Sequence, residues 1–345
     1  MKIINLILIG VVWNLPALSQ DIAGFQLIEQ KHKKQIDLLY NSRLLTTYNY
    51  EDSLKKPVLF PINTIDGITV TRGWPMQPRA GERTDHPHHI GLWLNYESVN
   101  GLDFWNNSTA IAPGKINLYG SIRHDQLVKQ KTWGDSAVLV VSASWLNNDG
   151  EVLLKEHTTY VFTVMDQRFF IERKTTLTAT EEQVIFKDVK DGFFAIRVAR
   201  ELEMPSTQED VFTDSQGNKT TVGKMINNEG VTGNYISSEG IEGDDVWGTK
   251  GRWTMLSGKK DGREITIGIL DHPSNMGYPS YWHARGYGLF AINPLGRKVF
   301  SNGKEQLNLT LGPREAVTFR YKVVISSGEK LVKEEMDSLA DDFAR

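Results

Sequence analysis

Five consecutive stretches decide the fold. They are the run Ala137-Val-Leu-Val-Val-Ser-Ala-Ser-Trp145, the break Asn147-Asn-Asp-Gly150, the run Val152 to Val164, the break Met165-Asp-Gln167 and the run Arg168 to Thr180. Strand-like alternation, with Val, Ile, Phe and Thr well represented, is the two-residue period of a half-buried strand. The breaks carry turn residues, and Asp149-Gly150 is read as supplying the positive-φ residues of a tight hairpin turn. Three antiparallel strands in succession make a meander.

Outward from the meander, Val184 to Arg200, Trp253 to Met255, Glu264 to Asp271, Trp282 to Asn293 and Ala316 to Ile325 read as further strands. So many strands with almost no helix between them predict an all-β chain, a large antiparallel β-sandwich. Only the end reads as helical. Ser326-Ser327-Gly328-Glu329 resembles a capping box, and Leu331, Val332, Met336, Leu339 and Phe343 then recur on one face, which predicts a short terminal helix over 327–345. Residues 201–251, rich in Gly, Asn, Ser, Thr and Asp, are expected to form a long loop region with short strands and a lid-like position.

The N-terminus reads Met1-Lys2, an apolar run from Ile3 to Leu15, then Ala17-Leu18-Ser19. One positive charge, a short apolar core and a small-x-small site predict a signal peptide over 1–19, and hence export to the periplasm or beyond. No later stretch is long and apolar enough to span a membrane. Length alone, 345 residues, is that of two average domains, but β-sandwiches often run larger, and 20–345 is read as one domain. The formal charge of −3 argues against a nucleic-acid partner, which needs a basic face. Cysteine is absent, which excludes disulfides, thiolate metal sites and a Cys nucleophile.

Chemistry concentrates first in Arg83-Thr-Asp-His-Pro-His-His-Ile-Gly-Leu-Trp93, where three of the eight histidines fall within four residues. On an extended segment His86 and His88 share one side and His89 takes the other. Imidazoles titrate near neutral pH, so paired histidines can divide acid and base roles on a substrate. His86-x-His88 also suits a divalent metal, with His124 or His283 as the third ligand. No motif demands a cofactor. A structural role for the histidines is the third alternative.

A second dense region is Asp271-His-Pro-Ser-Asn275 through Trp282-His283-Ala-Arg285-Gly-Tyr287-Gly288 to Asn293-Pro294. Aromatic faces beside Asn and Arg are what sugars require, since pyranose C–H faces stack on rings while amides and guanidinium groups bond hydroxyls. A third is Lys190-Asp191-Gly192 to Arg197-Val198, where alternation groups Phe194, Ile196 and Val198 on one face and Phe193, Ala195 and Arg197 on the other. His86, His88, His89, His283, Arg197 and Arg285 are therefore the catalytic candidates. Arg72, Arg83, His124, Lys190, Asn275, Trp282 and Asn293 are the candidates for substrate binding. There is no Gly-rich phosphate loop, no Gly-x-Ser-x-Gly elbow and no His-Glu-x-x-His, so nucleotide, serine-hydrolase and zincin chemistries lack support.

With these residues laid out, the chain resembles a bacterial family labelled PmoA-type after methane oxygenase and otherwise treated as a domain of unknown function. The resemblance rests on Thr71-Arg-Gly73, Asp85-His-Pro-His-His89 to Trp93, Val99 to Trp105, Lys190 to Arg197, Trp247-Gly248, Arg252-Trp253 and Asp271 to Pro294. Ile90 stands where that family usually has Arg. The label does not imply methane oxidation, because such a subunit has many membrane-spanning helices and this chain has none after its leader. The resemblance and the β-rich pattern imply a galactose-mutarotase-like supersandwich that binds sugars on the concave face of a large sheet. The expected function is an exported carbohydrate-active enzyme using His-mediated acid/base chemistry for epimerisation, elimination or hydrolysis. A non-catalytic carbohydrate-binding module and a metal-dependent enzyme using His86 and His88 stay open as alternatives.

Overall fold

The computed structural model describes residues 23–345 apart from 208–210, 214–218 and 222–226. The expected signal peptide lies outside the described residues, as does part of the 201–251 segment.

The strands in chain order are β1 (Phe25–Gln30), β2 (Gln35–Tyr40), β3 (Arg43–Asn49), β4 (Val58–Ile62) and β5 (Leu92–Tyr96). There follow β6 (Ser121–Trp133), β7 (Ser136–Leu146), β8 (Val152–Met165), β9 (Arg168–Ala179), β10 (Val184–Phe186), β11 (Gly192–Arg197), β12 (Val211–Thr213) and β13 (Lys219–Thr221). The last are β14 (Asn234–Ser237), β15 (Trp253–Lys260), β16 (Arg263–Asp271), β17 (Tyr281–Arg285), β18 (Leu289–Asn293), β19 (Leu309–Leu311) and β20 (Ala316–Ser327). Sixteen of them form two eight-stranded antiparallel sheets. The first runs β1-β2-β3-β4-β5-β11-β18-β17, and the second β14-β15-β16-β20-β9-β8-β7-β6. The all-β reading therefore holds.

The meander is β7-β8-β9, and its two turns differ from the expectation. Between β7 and β8 a wider loop over 147–151 closes on Gly150 alone (φ 83°), with Asn147 Oδ1 accepting from the Asp149 and Glu151 amides. The two-residue turn is instead Asp166-Gln167, both at positive φ (50° and 59°), the backbone that matches strand twist.

One face of each sheet is buried against the other. Leu38, Tyr48, Leu92, Leu94, Phe194, Ile196, Phe290 and Ile292 from the first sheet meet Leu139, Trp145, Phe162, Ile171, Ile267, Phe319 and Ile325 from the second. Burial of side chains this large contributes about 1.5–3 kcal/mol each, and this layer is what orients every strand. The terminal helix α1 covers Lys333–Phe343, later than the sequence reading placed it. Ser326 and Ser327 finish β20 instead, and the first turn is capped by the Glu335 carboxylate accepting from the Val332 amide (3.0 Å). Its buried face (Met336, Ala340, Phe343) packs on Phe170, Trp253, Leu270 and Val324, the outer side of the second sheet.

Two other readings are corrected. Val184 to Arg200 is not one strand: β10 pairs with β19 in a small ladder, while β11 sits deep in the first sheet. Trp282 to Asn293 is a hairpin, β17 and β18, closing at Gly286-Tyr287-Gly288. Gly288 takes φ 88°, and a Cβ there would meet Glu203 Cγ at 3.0 Å. Among the described residues no helix is long and apolar enough to cross a membrane.

Candidate functional site

The candidate site lies on the outer face of the first sheet. Register across β5, β11, β18 and β17 lines up Trp93, Ala195, Ala291 and His283 in one row. Arg197, Leu289 and Arg285 form the next row. Two alanines between an indole and an imidazole leave a trough. The period-two alternation makes this row face away from the sandwich core, because its neighbours Leu94, Ile196, Phe290 and Trp282 point into it.

A loop carrying the three histidines folds over one side of the trough. His86 is not extended: it takes φ 42°, and the His89 amide bonds back to its carbonyl at 3.0 Å. The tight turn brings all three rings together, His86 on His89 at 4.8 Å and parallel, His88 edge-on to His89 at 4.3 Å. The opposite-sides reading of His88 and His89 is thereby overturned. The rule for extended chain failed because a positive φ breaks the alternation.

The loop is held from below by arginine. Arg72 is fully buried and donates to the carbonyls of Asp85, His86 and His89 (2.9–3.0 Å) and to the Asp85 carboxylate (2.7 Å). Arg197, also fully buried, donates to the same Asp85 oxygen (2.7 Å) and lies 3.1 Å from His89 Nδ1. Burial pushes the Asp85 carboxyl up, but Arg197, His86 and Arg72 outweigh it and hold it well below the ordinary range. Tyr287 closes over Arg197 at 4.9 Å, and its ring stacks on His86 at 5.3 Å. Arg83 and Arg200 engage Glu203 behind this group (2.7 and 2.5 Å).

At the other end of the trough stands a carboxylate–imidazole pair. His283 is 3% exposed, its Nδ1 has no hydrogen-bond partner, and Asp191 Oδ1 lies 3.8 Å away. Burial first, then Lys190, Arg285 and His86, lower its pKa to about 3, so the ring is neutral at any physiological pH. Burial raises Asp191 above its ordinary value, against the pull of Lys190 at 3.4 Å. Glu97 and Asp103 are raised as well, mainly by burial and partly by Asp191. The Asp191 loop is positioned by Asn293, whose amide donates to the Val189 and Lys190 carbonyls (3.1 and 2.9 Å). Exposed Arg285, 5.4 Å from the Trp247 ring, forms the rim with His86.

The structure sorts the residues singled out in the sequence. His86, His88, His89, His283, Arg285 and Lys190 belong to this region. Arg197, Arg72 and Arg83 are buried scaffolding under it rather than open substrate contacts. Four other substrate-binding candidates are engaged elsewhere in the structure. Trp282 is fully buried in the sandwich core beside Phe290, so it offers no stacking face. Asn275 clamps β16 to β20 through Asp271 and the Arg320 backbone. Asn293 spends its amide on the Asp191 loop and its oxygen on the Leu295 and Gly296 amides. His124 packs against Tyr48 and Tyr50 on β6, so it is no partner of the histidine loop. Phe193, expected to lie beside Ala195, turns into the core against Phe319. Within 201–251 the described residues do form short elements: β14 extends the second sheet, and β12 lies against Arg83 through a bridge at Phe212.

Sequence reasoning missed Asp191, Glu97, Asp103, Lys56, Tyr287 and Trp247. Asp191 and Asp103 stood in quoted motifs, but nothing local says that a loop before β11 meets β17. Among the described residues no three His, Asp or Glu side chains form a metal-holding group.

The chain belongs to a family of unknown function, DUF6807, whose pattern matches residues 35–341. That match carries no PmoA label. No curated protein matches the sequence. Solved structures that it resembles include the galactosidase domain of an alpha-galactosidase–sucrose kinase, at 12% identity and a TM-score of 0.39, over 88% of this chain and 41% of that one. The chain thus spans about two fifths of that protein. A galactose mutarotase-like protein from Clostridium acetobutylicum is 11% identical at a TM-score of 0.33, over 85% of this chain and 93% of that one. Galactose 1-epimerase from Lactobacillus acidophilus is 11% identical at 0.34, over 89% and 99%.

Proposed function

We propose that the chain is an exported carbohydrate-active enzyme whose chemistry is proton transfer on a sugar, in an epimerisation, elimination or hydrolysis. The observation that carries the reading is the His283–Asp191 pair. Two titratable groups meet in one trough, an imidazole held neutral with an unpartnered ring nitrogen and a carboxyl raised by burial, and both are of the kind that exchanges protons with a substrate. His86 and Arg285 stand at the rim, where a cation beside an exposed imidazole stabilises negative charge developing on substrate oxygen. Tyr287 and Trp247 supply the aromatic faces that a pyranose C–H surface stacks on.

The test is a panel of mono- and oligosaccharides incubated with the protein in heavy water and followed by NMR. Proton transfer at carbon appears as loss of a C–H signal, and hydrolysis as new reducing ends. Turnover is expected in the wild type and reduced at least about a hundredfold in His283→Asn and Asp191→Asn, the usual scale of a general acid or base. Turnover that survives both substitutions refutes the assignment. Binding with no turnover of any sugar returns the chain to the carbohydrate-binding alternative.

A further inference from the structure

The same sheet face carries a second concavity that the trough does not use, a cleft of about 680 Å³ over β2, β3 and β4. Its floor is made of two cross-strand polar pairs, Asp37 with Thr47 and Gln35 with Asn49. Thr47 and Asn49 are almost wholly buried although they lie opposite the sandwich core. The cleft and the trough share a wall, because His88 and Lys56 line the cleft while Lys56 also lies 5.3 Å from the Trp93 ring.

Charge in the cleft is unbalanced. Three lysines face two acids, and the acids accept only from neutral groups in the lining strands, Asp37 from Gln30 and Thr47 and Glu51 from Gln35. Its three lysines, Lys33, Lys55 and Lys56, have no carboxylate within ion-pair distance among the described residues. Lys56 is the unusual one. It is 4% exposed, and its ammonium donates to a single acceptor, the His88 carbonyl at 2.7 Å. A buried lysine is ordinarily paired, because desolvating an ammonium without a counter-charge is costly. Phe60, Met76 and Ile90 add apolar surface beside it.

We propose that this cleft binds the carboxylate-bearing unit of an acidic saccharide, with Lys56 as the innermost contact. The proposal rests on the sugar reading of the trough and names its substrate class: a glycan with a uronate unit seated on the far side of the histidine loop. A carboxylate supplies Lys56 with a counter-charge, the remaining lone pairs of the Asp37 and Glu51 carboxylates accept from ring hydroxyls, and the apolar wall takes a C–H face. Burial lowers the Lys56 pKa to about 7, with Asp103 partly offsetting it and His88 facing the same amine. An anion therefore draws a proton onto the amine when it binds at pH 7–8.

The probes are methyl glucuronide, methyl glucoside and glucose 6-sulfate, titrated calorimetrically into the intact protein. The glucuronide is expected to bind at least tenfold tighter than the glucoside, with a proton uptake read from buffer-dependent enthalpies at pH 8. Lys56→Met, which keeps the buried chain volume, is expected to abolish both the preference and the uptake. Lys55→Met is expected to weaken the preference about threefold, and it remains informative if Lys56→Met does not fold. Equal affinity for glucuronide and glucoside overturns the proposal, as does a preference that survives Lys56→Met. Tighter binding of the sulfate overturns the carboxylate assignment. Absence of a glucuronide preference in the wild type, with His283-dependent turnover intact, refutes the cleft alone. Preference intact with turnover indifferent to His283→Asn refutes the trough alone.

Discussion

Asp85 shows how one side chain decides whether a site exists. One of its oxygens takes hydrogen bonds from both Arg72 and Arg197, and the other meets His86 Nδ1. Two guanidinium groups with no solvent exposure are tolerable only while that carboxylate lies between them. Asp85→Asn removes, at nearly constant volume, the counter-charge both arginines share, leaving Arg197 only Glu203 at 4.0 Å. The expected cost is about 3–5 kcal/mol, read as a lower urea midpoint. A second expectation is freedom of the His86 ring, seen as a sharper, more solvent-like imidazole signal by NMR. An unchanged midpoint with an unchanged ring would mean that the network is ornamental to the loop.

At the scale of elements, the trough is a product of register. Ala195 and Ala291 face each other across β11 and β18, and His283 faces Ala291 across β17. Ala291→Leu fills this space without replacing a titratable group. Activity is expected to fall with little change in the pH profile, and stability by about 1–3 kcal/mol from overpacking. Full activity in this variant would place the reaction elsewhere. The terminal helix obeys the same packing logic on the opposite side of the molecule. A Cβ on Gly268 would meet Met336 Cε at 2.6 Å, so the helix lies directly on bare backbone of β16. Met336→Ala is expected to cost about 2–5 kcal/mol in denaturant melts while sparing turnover.

For the whole molecule, burial of neutral imidazoles couples the site to acid stability. Burial holds His283 at about 3, while the unfolded chain takes up that proton near 6.5. Between those values the unfolded state binds more protons, so this group's contribution to stability is lost as pH falls through the window. Asp271 works the other way. Burial raises it to about 6, so its effect favours the fold as pH falls from about 6 towards 3.8. The measurable quantity is thus a difference. The Tm of His283→Asn relative to wild type is expected to improve steadily from pH 6.5 to pH 4, and a constant offset would contradict a neutral buried His283.

The sequence by itself determined the class of fold, the meander and half of the strands, none of them before β7, because alternation and turn residues act within a few positions. It also marked the histidine loop and the Lys190-Asp191 segment as chemically dense. Tertiary structure alone decided which of those residues meet. Trp282 went to the core because alternation along β17 put its neighbour His283 on the outer face, and the sequence does not say which face is covered. Asp191 reached His283 across 92 positions of chain, through the pairing of β11, β18 and β17, which no local pattern encodes. Nothing in the sequence singles out Lys56, and only the loops around it made it a buried amine without an ion pair. Local physics chooses elements; burial and register, which are properties of the assembled sheets, choose the chemistry.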